Sequence, residues 1–331
     1  MRKHVPLSVL DLVGISKGQT VKEAIDTSME HAQFIDELGF KRLWYAEHHN
    51  AISLAAVATP LLIGRAASLT KNIRVGSGGI MLPNHAHFRV AEEFGTLAQM
   101  YPNRIDLGLG RAPGTDGMTA QLITRTSGDA QEFANNIYDM IGWFSEDGVS
   151  SRIPNVTTGV ATNTNVPIWV LGSSMNGAHI AGQLGLPYSI ATHFMPDDYE
   201  EKLAFYRSSF DSTGPTATID TPYSMAAINV VVAPTDEEAE RIFTSTEKMF
   251  INLYSGERNY IEAPVDPTEL PNRHLADSAL KVKAVGSPET VRKQLEAFAE
   301  KSKVDELMIV TYAYHPEDRK RSMELLADVW F

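Results

Sequence analysis

Short apolar runs alternate with amphipathic stretches along the whole chain, with turns between them. That rhythm predicts parallel strands joined by crossover helices. The first run, residues 5–12, predicts a strand, and a polar loop with Gly14 and Gly18 follows. Thr20 and Glu23 then stand in the spacing of a capping box. The helix they open carries Ile25, Met29, Ala32, Ile35 and Leu38 and stops at Gly39. Further strands are predicted from Arg42, Ile73, Ile105, Pro167, Pro187, Ser224 and Glu306. Helices are predicted over residues 59–70, 87–100, 119–144, 175–184, 196–210 and 287–301, from Asp236 onward, and up to Trp330. Residues 146–166, rich in Ser, Thr, Asn and Gly, read as a surface excursion. Residues 256–285 have no clear period, carry Pro264, Pro267 and Pro271, and read as an insertion or lid. Eight strands in strict alternation with helices predict a closed (β/α)8 barrel over residues 1–331 as one domain, with insertions near 146–166 and 256–285.

Composition narrows what such a barrel does. The 331 residues are 43% hydrophobic and carry a net charge of −12. That balance argues against nucleic acid and against an anionic membrane surface as partners. No apolar run is long enough to span a bilayer. There is no cysteine, hence no disulfide, thiolate metal site or cysteine nucleophile. A cytoplasmic protein acting on a small molecule is the expectation.

In a (β/α)8 barrel the chemistry lies at the C-terminal ends of the strands. Polar and special residues collect there. The second strand ends in Glu47, His48, His49 and Asn50, and the third in Gly76 to Gly79 before Pro83, Asn84 and His85. The fourth ends in Gly108, Gly110, Arg111 and Gly114, the fifth in Gly172, Ser173 and Ser174. Thr192 and His193 end the sixth; Tyr312, Tyr314 and His315 end the eighth. Gly78 and Gly79 suit close approach by a flat ring or, alternatively, a β-bulge. LGSSMNGA places small residues and hydroxyls at a helix start, which suits a phosphate or an ordinary N-cap. Arg111 suits a phosphate or a salt bridge at the rim. Adjacent His48 and His49 point to opposite faces of a strand, so they do not naturally chelate one ion, and no HExxH pattern supports a metal site. An inward His48 suits proton transfer or a structural hydrogen bond. No GxSxG, Walker or dinucleotide fingerprint is present, and GLGRAPG lacks the spacing of the last. Late-strand carboxylates are few, essentially Glu47 and Asp11, which weakens a two-carboxylate glycosidase.

At AEHHN, and then along VGSGGIMLPNHAHFRVAEEFGTLAQMYPNRIDLGLGRAPGTD, the chain resembles the bacterial luciferase-like monooxygenase family. WVLGSS and GSPETV extend the resemblance over nearly the whole length. It implies a (β/α)8 barrel binding reduced FMN or, in some branches, a deazaflavin. By the same resemblance Arg111, Ser173 and Ser174 hold the flavin phosphate arm, and Gly172 belongs to that turn. Gly78 and Gly79 stand where the luciferase catalytic subunit has two alanines beside the flavin ring, a position with a non-prolyl cis peptide. His48 matches the catalytic histidine, while the luciferase reactive cysteine is replaced by Gly110, which argues against light emission and a long-chain aldehyde substrate.

The resemblance therefore implies a monooxygenase using O2 and reduced FMN from a separate NAD(P)H-dependent flavin reductase, with His48 assisting proton transfer and His193 and His315 as further candidates. A deazaflavin-dependent dehydrogenase or reductase is the enzyme alternative. A non-catalytic flavin-binding protein is the other. The resemblance also implies a homodimer through the helices after the second and third strands, where ATPLLIGRAAS suits helix contact or, alternatively, plain packing onto the barrel.

Overall fold

The computed structural model describes residues 4–331. Its first half runs β1 (Leu7–Asp11), α1 (Val21–Leu38), β2 (Arg42–Tyr45), α2 (Thr59–Leu69), β3 (Arg74–Met81), α3 (His87–Met100), β4 (Ile105–Gly110), α4 (Gly117–Ile123) and α5 (Ala130–Phe144). It continues with β5 (Ile168–Gly172), α6 (Met175–Gln183), β6 (Tyr188–Ile190), α7 (Tyr199–Ser208), β7 (Ser224–Val232) and α8 (Asp236–Ser255). The chain ends with α9 (His274–Asp277), β8 (Lys283–Gly286), α10 (Pro288–Ser302), β9 (Glu306–Val310) and α11 (Pro316–Trp330). All strand pairings are parallel. β1 to β7 pair in sequence, and β9 sits between β7 and β1, closing an eight-stranded barrel. The expected (β/α)8 architecture is therefore the one observed.

The sequence periods explain where each face goes. Successive strand residues alternate between the barrel interior and the helix layer. Leu7, Val9, Leu43 and Tyr45 join the outer core under the helices, whereas Leu10, Trp44, Trp169, Met225 and Met308 form an inner cluster. Helix boundaries follow local chemistry. Thr20 Oγ1 accepts from Glu23 N at 3.2 Å, the Glu23 carboxylate accepts from Thr20 N at 2.7 Å, and Gly39 ends α1 at φ 89°.

The structure differs from these expectations in two segments. The single helix expected over residues 119–144 is split into α4 and α5 by a loop in which Gly128 takes φ +67° and Asp129 caps α5. Within residues 256–285, where no element is expected, β8 pairs with the C-terminal half of β7, Asn229 to Val232. Residues 146–166 carry turns and one isolated bridge, Val149 with Thr157.

Below the inner cluster lies a charged floor. Arg42 bridges Asp106 and Glu306 at 2.8 Å each, and Arg74 and Lys41 add further pairs to the same carboxylates. Burial opposes ionisation of Asp106 and Glu306, but the surrounding cations win and hold both carboxyls below their ordinary range. Trp44 Nε1 donates to Asp106, and Trp169 meets the Trp44 ring edge-on at 5.2 Å while Arg42 lies over its face. The floor closes the N-terminal end of the barrel and leaves the C-terminal end for chemistry.

Candidate active site

The C-terminal mouth is organised around Glu47, which follows β2 and is buried. Its carboxylate accepts from His49 Nε2 at 2.8 Å, His85 Nε2 at 2.9 Å and the Met81 backbone N–H at 2.9 Å. These contacts tie the end of β2 to the end of β3. Burial opposes the Glu47 charge, yet the histidines and the backbone donor lower its pKa, and the His85 imidazole is raised in return. His49 is thus bound to Glu47, while His48, one residue earlier, stands apart from that cluster.

The His48 backbone N–H donates to Ala56 O at 2.9 Å, but its ring Nδ1 is enclosed and has no partner. Burial lowers the His48 pKa, opposed by Glu47. His193, after β6, is buried with Nδ1 likewise unpartnered, and burial with the His48 ring nearby lowers its pKa to about 3. Burial therefore favours the neutral form of both rings at pH 7. Asn229 of β7 completes the group: Nδ2 donates to His193 O at 2.6 Å and Oδ1 is unpartnered. The sequence reading missed Asn229. The one available signal was a lone amide inside the apolar run of residues 224–233.

The register of β3 on β4 slips between Gly78 and Ile80, so Gly79 is the extra residue of a bulge, and the Gly78–Gly79 peptide is cis. A Cβ on Gly78 would lie 2.8 Å from Leu10 Cδ1 and 3.0 Å from Trp44 Cβ; on Gly79 it would lie 2.8 Å from Gly108 O. The bulge reading is thus the one observed; at Gly79 backbone crowding alone excludes a side chain, whereas at Gly78 the nearest atom is the tip of the Leu10 side chain.

Arg111, just past β4, is half-buried and has no hydrogen bond or ion pair in the described residues; its electrostatic partner is Asp129. The salt-bridge alternative is thus absent. Ser174 is the N-cap of α6, its hydroxyl accepting from Gly177 N at 3.3 Å, and Ser173 precedes it. Gly172 approaches Gly177 closely, a Cβ on either lying 3.5 Å from the other's Cα. His315 is the N-cap residue of α11 without a side-chain cap bond and is exposed, outside the His48–His193 group.

Residues 257–262 cross the mouth as a strap. Ile261 inserts into the inner cluster beside Gly14, exchanging backbone bonds with Ile15 and Lys17 at 3.0 and 2.8 Å. Arg258 reaches Asn50 Oδ1 at 2.9 Å and Asp116 at 3.6 Å.

A family model described as luciferase-like monooxygenase matches residues 5–306. A luciferase-like monooxygenase of Escherichia coli strain K12 is 37% identical over 335 residues, spanning 99% of this chain and 97% of its own. The structure of apo-MsnO8 is similar at TM-score 0.83 and 30% identity, covering 99% of this chain and 98% of that one. An FMN complex of the oxygenating constituent of 3,6-diketocamphane monooxygenase from Pseudomonas putida shares the fold at TM-score 0.74 and 18% identity, covering 98% and 97%. An F420-dependent secondary alcohol dehydrogenase shares it at TM-score 0.72 and 14% identity, covering 97% and 99%. On the match over most of its length, the chain belongs to the luciferase-like monooxygenase family.

Proposed function

We propose that the chain is the oxygenase component of a flavin monooxygenase that takes reduced FMN from a separate NAD(P)H-dependent reductase and oxidises a small organic substrate with O2. The observation that carries this reading is Arg111, a guanidinium just past β4 with no ion pair among the described residues, β4 being paired with β5, after which Ser173 and Ser174 lead into α6. A fork of N–H donors and a capped helix start fit a phosphate monoester. The unpartnered nitrogens of His48 and His193 and the unpartnered Asn229 oxygen fit a polar-edged ligand between them.

Arg111, Ser173 and Ser174 would hold the phosphate, with Gly78, Gly79 and Gly172 on the cofactor's side of the mouth. Reduced FMN, when bound, supplies the two electrons that activate O2. His48, kept neutral by burial, would accept or return a proton at Nδ1. Trp44 and Trp169 keep water out from below, and the Ile261 strap does so from above. We also propose a homodimer through α2 and α3, whose exposed side chains include Leu61 and Met100.

Anaerobic titration of the purified chain with reduced FMN, and in parallel with a reduced deazaflavin, tests the reading. Saturable binding of reduced FMN is expected, weakened about tenfold or more in Arg111→Met. Preference for the deazaflavin would move the protein to hydride transfer. Saturable flavin binding with no turnover over a substrate screen would leave a flavin carrier, and no binding of either cofactor would sink the proposal.

A further inference from the structure

β7 is buried at all nine positions, and most of its residues are aliphatic. Asn229 interrupts it on the interior face, in step with Met225 and Ala227 of the inner cluster. Its amide cannot turn freely. Nδ2 donates to the His193 carbonyl at 2.6 Å, so the atom left over is Oδ1, which only accepts. That oxygen is enclosed and has no donor among the described residues, and Asn229 is 1% exposed. A buried acceptor without a donor is unfavourable where an apolar residue would fill the same space. The position therefore has a use for a donor that arrives with a ligand.

The surroundings define that ligand. His193 packs edge-on against Phe194 at 4.7 Å, and its Nδ1 is a second enclosed polar atom without a partner. Its ring is neutral at pH 7, as is that of His48. Neither histidine therefore offers a cation to an anion at this spot, and an anionic group would bring further lone pairs towards Asn229 Oδ1. The interior cluster to which Met225 and Ala227 belong is otherwise apolar, with Trp44, Trp169 and Met308 among its buried members. The cofactor residues named above lie on or just after β3, β4 and β5, whereas Asn229 lies on β7 and His193 follows β6.

We propose that Asn229 and His193 are specificity-determining residues that select an uncharged substrate, apolar over most of its length, whose N–H or O–H group donates to Asn229 Oδ1 beside His193 Nδ1. The proposal rests on the flavin reading for what becomes of the substrate and is independent of it for binding. A site with a fixed buried acceptor discriminates strongly against analogues that lack the donor.

A ladder of three probes tests this on the wild-type chain: hexanamide, N,N-dimethylhexanamide and hexanoate. They share an alkyl tail and differ in donor and charge. Calorimetry and ligand-observed NMR measure binding, and the Asn229 side-chain amide resonances, assigned by their loss in Asn229→Leu, report the contact. Hexanamide is expected to bind about tenfold or more tighter than either analogue and to shift those resonances. Asn229→Leu should abolish the preference for hexanamide over its dimethyl form. If that variant does not fold, His193→Phe, which keeps the backbone carbonyl that holds Asn229, is expected to reduce the preference, and the wild-type ladder decides by itself. Equal binding of the three, tighter binding of hexanoate, no binding of hexanamide at millimolar concentration, or a preference unchanged in the folded variant overturns the proposal. FMN binding, followed separately by fluorescence, separates the two readings. FMN binding without ladder discrimination sinks this proposal alone, and discrimination without FMN binding sinks the cofactor reading alone.

Discussion

Glu47 and His85 link the ends of β2 and β3 by an ion pair whose two members shift in opposite directions, Glu47 down and His85 up. The sign of the pH dependence follows. A raised histidine contributes stability that is complete below its ordinary value of 6.5 and is lost as pH rises through the folded-state value. A lowered carboxylate contributes stability that is complete above its ordinary value of 4.5 and is lost as pH falls through its folded-state value. The pair should therefore stabilise the mouth most between those two ordinary values. Glu47→Gln is expected to lower the melting temperature most in that window and to flatten its decline above pH 6.5. An unchanged slope there, measured by differential scanning fluorimetry across pH, would show that the pair contributes nothing. At this scale the sequence was legible where residue type and strand position coincide. His48, Arg111 and Ser174 stand at or just past strand ends, and the first two side chains make no hydrogen bond among the described residues. Asn229 was not legible, because its meaning depends on a carbonyl 36 positions away that fixes its amide. Glu47 reads in the sequence only as a scarce carboxylate, since two of its partners, the Met81 N–H and His85, come from the end of β3 and the loop after it.

The elements were legible where one period persists and ends in a cap. α1 is the clearest case, with the capping box and the Gly39 stop both in place. The α4–α5 break was hidden because amphipathic residues continue across it, and only Gly128 before Asp129 marks the turn. β8 is four residues long in a proline-rich stretch and is defined by its pairing with β7, so no local period announces it. The strap over residues 257–262 is likewise held by distant contacts. Its anchor is Ile261, 3% exposed in the inner cluster. Ile261→Ala should cost roughly 2–4 kcal/mol of local stability. Global unfolding need not follow, because the strap can open alone. Trypsin cleavage after Arg258 should then accelerate by more than tenfold while the melting temperature of the barrel moves little. Cleavage no faster than in the wild type would mean that Arg258, through Asn50 and Asp116, holds the strap without Ile261.

On the scale of the molecule, alternation alone carried the barrel, because eight parallel strands buried on both faces have few other closed arrangements. What alternation does not reveal is which helix surface remains for a partner. The ATPLLIGRAAS stretch divides residue by residue. Leu62, Ile63, Ala66 and Ala67 of α2 are buried, and a Cβ on Gly64 would lie 3.2 Å from Leu97 of α3. Those residues belong to the barrel. Leu61, by contrast, is 75% exposed, with Ile52 and Val57 at 42% each on the segment leading into α2. Exposed large aliphatics mark a contact surface where they form one contiguous patch. If α2 and α3 form the homodimer interface, Leu61→Glu places a charge at its apolar centre, where desolvation is costly. Sedimentation should then show a dimer for the wild type and a shift towards monomer in Leu61→Glu, with dimer dissociation strengthened about a hundredfold. Helix content should be unchanged, because Leu61 contributes nothing to the barrel core. A wild-type monomer would remove the dimer altogether, and a dimer indifferent to Leu61→Glu would place the interface on another face.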